Sequence, residues 1–199
     1  MFETLPDGRR LVLASTSPFR RELLARLGLP FAVHAPDIDE SRRPGEDAPT
    51  LVARLAERKA QAVVPHDSMV LIIGSDQVAA LGNEIISKPG DHERAVAQLQ
   101  LASGQTVIFY TGLCLLDRVS QQHQVVVEPF QVVFRQLTSA MIENYLRREQ
   151  PYHCAGSFKA EGLGIALFDR MKGDDPSSLI GLPLIQLTRM LEAAGVKVL

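Results

Sequence analysis

Leu11-Val-Leu-Ala-Ser-Thr-Ser-Pro-Phe-Arg-Arg-Glu-Leu-Leu-Ala-Arg-Leu-Gly28 decides how this chain folds. Leu11 to Ala14 is a short apolar run of the kind that makes a buried strand. Three small hydroxyl residues follow (Ser15, Thr16, Ser17), then Pro18, Phe19, Arg20 and Arg21. Ser17 suits a helix N-cap, Pro18 the first helical position and Gly28 a C-terminal stop. Leu23, Leu24 and Leu27 share one helical face, which packs back on the strand. Such a strand–loop–helix unit aims backbone N–H groups, hydroxyls and an arginine at one point, and phosphate is the commonest anion to fit. An ordinary capped helix with solvated arginines shows the same pattern, so this stretch alone leaves both readings open.

Working outward, Met1–Arg10 reads as a loose polar lead-in and residues 11–199 as one domain, or two small lobes around a cleft. Phe31–Ala35 reads as a short strand ending in Pro36-Asp-Ile-Asp-Glu40. Asp37, Asp39 and Glu40 offer the oxygen ligands that Mg²⁺ or Mn²⁺ prefers, or they form a solvated acidic turn. Thr50–Val64 has helical character, with Lys59 on its charged side. Met69–Gly74 reads as a continuous apolar strand that ends in Gly74-Ser-Asp-Gln77, and a carboxylate in that place, Asp76, suits catalysis in an α/β protein.

Glu84–Ser87 reads as the second strand of a hairpin leading to Lys88-Pro89, and Asp91 as the cap of a helix to about Ala102. Gln105–Leu116 and His123–Phe134 form a long hairpin, with Thr111-Gly112 placed for a ligand's close approach to the backbone. Thr138 caps another helix. Pro151–Phe168 is glycine-punctuated, with Lys159 and Glu161 in a loop and Leu163–Phe168 as a strand. Gly173–Ser178 reads as a loop, and Gly181-Leu-Pro183 leads into a last helix.

Hydrophobic residues make up 46% of the 199, enough for a sizeable core, and no stretch reads as a signal peptide or membrane span. A formal charge of -2 gives no electrostatic reason to expect nucleic acid or an anionic membrane as partner. Any anion must be held by a local basic cluster. The two cysteines, Cys114 and Cys154, make no disulfide framework, and with the missing signal they favour the cytoplasm. His34, His66, His92 and His123 read as surface or packing residues. Taken together, the basic set (Arg20, Arg21, Lys59, Lys88) and the acidic set (Asp37, Asp39, Glu40, Asp76) suit a polyphosphate with a carboxylate-bound metal. Neither a P-loop nor a Gly-x-Ser-x-Gly elbow is present.

Seven motifs, Ala14-Ser-Thr-Ser-Pro-Phe-Arg-Arg21, Asp39-Glu40, Ala56-Glu-Arg-Lys59, Gly74-Ser-Asp-Gln77, Lys88-Pro89, Ala155-Gly-Ser157 and Gly181-Leu-Pro183, occur in the order seen in Maf nucleoside triphosphate pyrophosphatases. The sequence resembles that family from residue 11 almost to the C-terminus. The resemblance implies a two-lobed α/β fold like the inosine triphosphate pyrophosphatases, with a long mixed sheet and the active site in the cleft. It implies hydrolysis of a nucleoside triphosphate to monophosphate and pyrophosphate with Mg²⁺ or Mn²⁺, and a homodimer is common in the family. By that resemblance Asp76 is the proton acceptor or a metal ligand, Glu40 a second metal ligand, and Ser17, Arg20, Arg21, Lys59 and Lys88 hold phosphates.

Three positions separate the family's substrate classes. Members that prefer dTTP and UTP have arginine at the place of Phe19, threonine at Gln77 and glutamine at Glu161. The present residues are similar to the 7-methyl-GTP pyrophosphatase (YceF-like) subgroup, with phenylalanine replacing its tryptophan. On that resemblance an aromatic face would stack on the cationic 7-methylguanine and a carboxylate would compensate its charge. Glu161 would also accept from the guanine N1–H and exocyclic amine, a readout worth roughly 1–3 kcal/mol. The expected role is removal of modified nucleotides from the pool; the alternatives are a dTTP/UTP pyrophosphatase and a non-catalytic nucleotide-binding regulator of septum formation.

Overall fold

A computed structural model of the chain describes residues 4–63 and 69–199. His66 and the end of the expected Thr50–Val64 helix lie outside them. Its opening unit forms as the residues dictate: strand β1 (Arg10–Ala14), then helix α1 (Pro18–Ala25), whose N-cap Ser17 accepts from the Arg20 N–H. Strand β2 (Ala32–His34) pairs parallel with β1. Helix α2 (Ala48–Ala62) starts two residues earlier than its apolar spacing indicated, because Asp47 caps it through the Thr50 N–H.

Strand β3 (Val70–Leu81) is longer than its apolar run. The polar Gly74–Gln77 does not end it, since β5 pairs with it from Leu71 to Ala80. Strand β4 (Glu84–Ile86), helix α3 (His92–Ala102), the hairpin β5 (Thr106–Asp117) and β6 (His123–Phe134), and helix α4 (Ser139–Glu149) follow as read.

The last fifth departs further from the sequence reading. Leu163–Leu167 is a 3₁₀ helix and not a strand, and strand β7 (Phe168–Lys172) comes after it. Glu149 takes the Leu163 N–H, and the Gly164 N–H donates to the Lys159 carbonyl, bonds that curl the segment away from the sheet. Gly173–Ser178 is not all loop: Asp175 caps a short helix, α5 (Pro176–Ile180). Helix α6 (Leu184–Ala193) closes the fold. Near the start, Leu5 is buried with β1 and α6, so residues 4–10 are anchored where a loose lead-in was expected.

The sheet runs β2-β1-β3-β5-β6-β7, with β4 on β3. Helix α2 covers one face over a core of Val12, Ala14, Ala56, Ala60, Ile72 and Cys114. On the opposite face Leu11, Leu13, Leu23, Leu24, Leu187 and Leu191 pack β1 and β3 against α1 and α6. A third core, under α3 and α4, holds Phe109, Phe134 and Phe158 in edge-to-face contact. The cores flank one open mixed sheet, and β3 contributes to all three of them, through Leu71 and Ile73, Val70 and Ile72, and Ala79.

Pairing along β3 leaves a gap. One edge meets β5 throughout, while the other meets β1 only at residues 70–74 and β4 only at 79–81. Among the described residues, positions 75–78 therefore have no strand neighbour on that side. The opening lies just past the C-terminal end of β1, where ligands bind in open α/β sheets.

Candidate active site

Asp76 sits in that gap with 7% of its surface exposed. Its Oδ1 accepts from Lys59 Nζ at 2.6 Å, and Lys59 is itself 5% exposed. Glu40 Oε1 approaches the same ammonium at 2.9 Å from the solvent side. Two carboxylates thus converge on one buried cation. Burial of Lys59 and Asp76 is tolerated because each is the other's counter-ion, while Glu40 stays exposed.

Two glycines bring these groups together. A Cβ on Gly74 would lie 2.0 Å from the Ala56 carbonyl oxygen, and one on Gly112 2.1 Å from that of Val52. Only bare backbone lets α2 lie this close to β3 and β5, and Lys59 stands on the next turn. The close approach expected at Thr111-Gly112 is therefore made by the protein's own helix and not by a ligand.

Arg20 comes to the gap from the other side. Its Nε donates to the Gly181 carbonyl at 2.8 Å, and a long contact of 3.5 Å runs from Nη1 to Ser15 Oγ. Burial pulls the guanidinium pKa below its usual value, and the charges of Asp76 and Glu40 partly reverse this. Ser15 Oγ also accepts from the Ser17 N–H, so the three-hydroxyl loop folds over itself as a cradle. Ser17 Oγ serves as the α1 cap.

Other predicted residues are placed differently. Arg21, exposed, lines a groove of about 380 Å³ together with Ser15–Pro18 and Val33. Asp39 accepts from the Ser41 N–H, which lowers its pKa as in an acidic turn, and Asp37 is exposed. Phe19 is half-buried and belongs to none of the three apolar cores. Gln77 donates through Nε2 to Thr111 Oγ1 and to the Ser178 and Leu179 carbonyls at 2.7–3.1 Å.

Lys88 and Glu161 are exposed, on loops that meet around Cys154. Burial raises the Cys154 thiol pKa and Glu161 adds to this, while Lys159 and Lys88 act against it. Lys159 turns back to the Glu149 carbonyl at 3.1 Å and its carboxylate at 3.4 Å. Two of the histidines read as surface or packing residues have polar partners: His92 meets Tyr152 and Glu143, and His123 meets Glu57.

The reading from sequence gave no side-chain role to Ser75, Thr111 or Asp175. Ser75 Oγ donates to Gly181 O at 3.0 Å, Thr111 Oγ1 to Ser178 O at 2.9 Å, and Asp175 accepts from Ser177 and from Ile185 at the start of α6. Asp175-Pro176 followed by Gly181 is a cap–proline–glycine pattern from which the short helix is readable.

Among the described residues no three side chains of metal-ligating type cluster. Asp76 and Glu40 alone offer two carboxylates, which matches how Mg²⁺ is held by one or two protein carboxylates plus phosphates and water.

Comparison with known proteins adds to this geometry. Residues 10–194 match the Maf family, described as "Maf-like protein". A protein of Nitrosococcus oceani named 7-methyl-GTP pyrophosphatase is 63% identical, over 98% of this chain and 98% of its own. Proteins of the same name from Alcanivorax borkumensis and Vibrio cholerae are 55% and 54% identical, covering 94% and 96% of this chain and 95% and 98% of theirs. With residues 10–194 matched by the family model and relatives above 50% identity over nearly the whole length, the chain belongs to the Maf family.

Proposed function

We propose that the chain is a nucleoside triphosphate pyrophosphatase that hydrolyses the α–β phosphoanhydride of 7-methyl-GTP to 7-methyl-GMP and pyrophosphate, clearing a modified nucleotide from the pool. The observation that carries the chemistry is Asp76 and Glu40 meeting at the Lys59 ammonium, beside Arg20 and the hydroxyl cradle. Relatives at 53–63% identity carry that substrate in their names, which supports the choice of nucleotide.

In this reading Asp76 and Glu40 are the carboxylates that would hold Mg²⁺ or Mn²⁺, which would supply positive charge beside the phosphate oxygens. Asp76 Oδ1 is engaged by Lys59, so Oδ2 is the oxygen left either to take a proton from the attacking water or to bind the metal that would orient it. Arg20, Lys59 and the Ser17 hydroxyl hold the phosphates nearest the break. Arg21 and Lys88 reach the polyphosphate from the two rims. Charge-assisted bonds from these groups favour the negative charge that builds on the departing pyrophosphate oxygens. Phe19 stacks on the base and Glu161 pairs with its edge, while Gln77 shapes the wall between them.

Pyrophosphate release from 7-methyl-GTP, GTP, dTTP and UTP, with Mg²⁺ or Mn²⁺, tests the reading against Asp76→Asn. A preference for 7-methyl-GTP, abolished in the variant, is the expected result. Preference for dTTP or UTP would overturn the roles of Phe19, Gln77 and Glu161. Unchanged turnover in a folded Asp76→Asn protein would overturn the role of Asp76.

A further inference from the structure

Gly181 ends α5 with φ +126°, a conformation that side-chain-bearing residues rarely adopt. Its carbonyl oxygen thereby faces two donors at once, Arg20 Nε at 2.8 Å and Ser75 Oγ at 3.0 Å, one for each lone pair. Behind it, the Ser178 carbonyl receives Gln77 Nε2 at 2.7 Å and Thr111 Oγ1 at 2.9 Å, and Leu179 O receives Gln77 at 3.1 Å. Ser75, Thr111 and Ser178 are buried, so water does not substitute for these bonds. Ser75 and Gln77 are two apart on β3 and share one face, and Thr111 is paired with Gln77 on β5.

We infer that Ser75, Gln77 and Thr111 form a fixed seat for Pro176–Gly181 whose function is to present the Gly181 carbonyl to Arg20, making them positioning residues for the phosphate-holding guanidinium. An arginine has five donors in a rigid plane, so tying Nε from behind sets the direction of the terminal nitrogens. Both N–H groups of the Gln77 amide are engaged by the seat. Its influence on substrate choice therefore passes through α5 and not through a donated bond to the base. This inference rests on the proposed role of Arg20.

The test is a double-mutant cycle on pyrophosphate release from 7-methyl-GTP, with Tm followed in parallel. Ser75→Ala removes one donor to Gly181, and Arg20→Lys removes the Nε–H that uses the same carbonyl. Ser75→Ala is expected to lower kcat/KM by roughly fivefold, the worth of one hydrogen bond. In the Arg20→Lys background it is expected to cost less than about twofold, because the oriented fork is gone. Thr111→Val is expected to lower kcat/KM and Thr111→Ser to restore it.

Equal cost of Ser75→Ala in both backgrounds, or a fall in Tm that accounts for the whole loss, would overturn the seat while leaving Arg20 in its role. Wild-type turnover in Arg20→Lys and Arg20→Ala would overturn the role of Arg20 and the seat with it.

Discussion

Gly74→Ala tests how α2 brings Lys59 to Asp76. The added methyl would stand 2.0 Å from the Ala56 carbonyl oxygen and 2.8 Å from the Ala60 N–H nitrogen, both backbone atoms that cannot rotate away. Relief to a contact of ~3 Å requires α2 to retreat by about 1 Å, and overpacking of this kind costs about 1–3 kcal/mol. At 2 kcal/mol, a chain of this length loses about 4–8 °C in Tm. Lys59 lies between Ala56 and Ala60 and moves with them, so its 2.6 Å bond to Asp76 stretches by a similar amount. Misplacement on that scale costs on the order of 10–100-fold in kcat/KM. Thermal unfolding and pyrophosphate release on one preparation read both effects. Gly112→Ala meets the Val52 carbonyl at 2.1 Å, and the double variant is expected to cost less than the sum, since one retreat of the helix relieves both clashes. Wild-type Tm and turnover in Gly74→Ala would refute the argument that bare backbone sets the position of Lys59.

Further expectations concern charge. Lys59→Met leaves Asp76 buried without its counter-ion and is expected to destabilise by about 3–5 kcal/mol in urea unfolding. Adding Asp76→Asn is expected to recover part of this, and no recovery would mean the pair does not stabilise through charge. Glu46, which ties the loop before α2 to Arg54, is held by two Arg54 hydrogen bonds at a pKa of about 2 against an ordinary 4.5. A lowered carboxylate pKa stabilises fully above about 4.5, and that contribution is lost as pH falls toward 2. Unfolding free energy of the wild type is therefore expected to fall more steeply than that of Glu46→Gln over this window, and parallel curves would refute it.

Local pattern was enough to read the opening strand–loop–helix, the caps at Ser17, Asp91 and Thr138, and the β5–β6 hairpin, because each depends on neighbours within a few residues. Asp76, Glu40, Lys59 and Arg20 were legible as a charged set through their types and motifs, and the structure brings them together. What each side chain does in the site depends on contacts across the sheet. Lys59 is 17 positions from Asp76, and Arg20 is 161 from Gly181. Period and propensity carry no information at that separation. The same holds for the continuation of β3 through polar Gly74–Gln77, which β5 pairing imposes on residues with no apolar reason to extend.

The sequence by itself determined the α/β class, the family and the charged residues that gather at the gap. Only the tertiary structure decided that β1 and β4 leave β3 open at 75–78, that Arg20 turns inward while Arg21 faces a groove, and that Gln77 and Ser75 hold α5. The physical reason is that a motif specifies which atoms are available, whereas register, glycine-permitted approach and buried hydrogen-bond partners determine where those atoms meet.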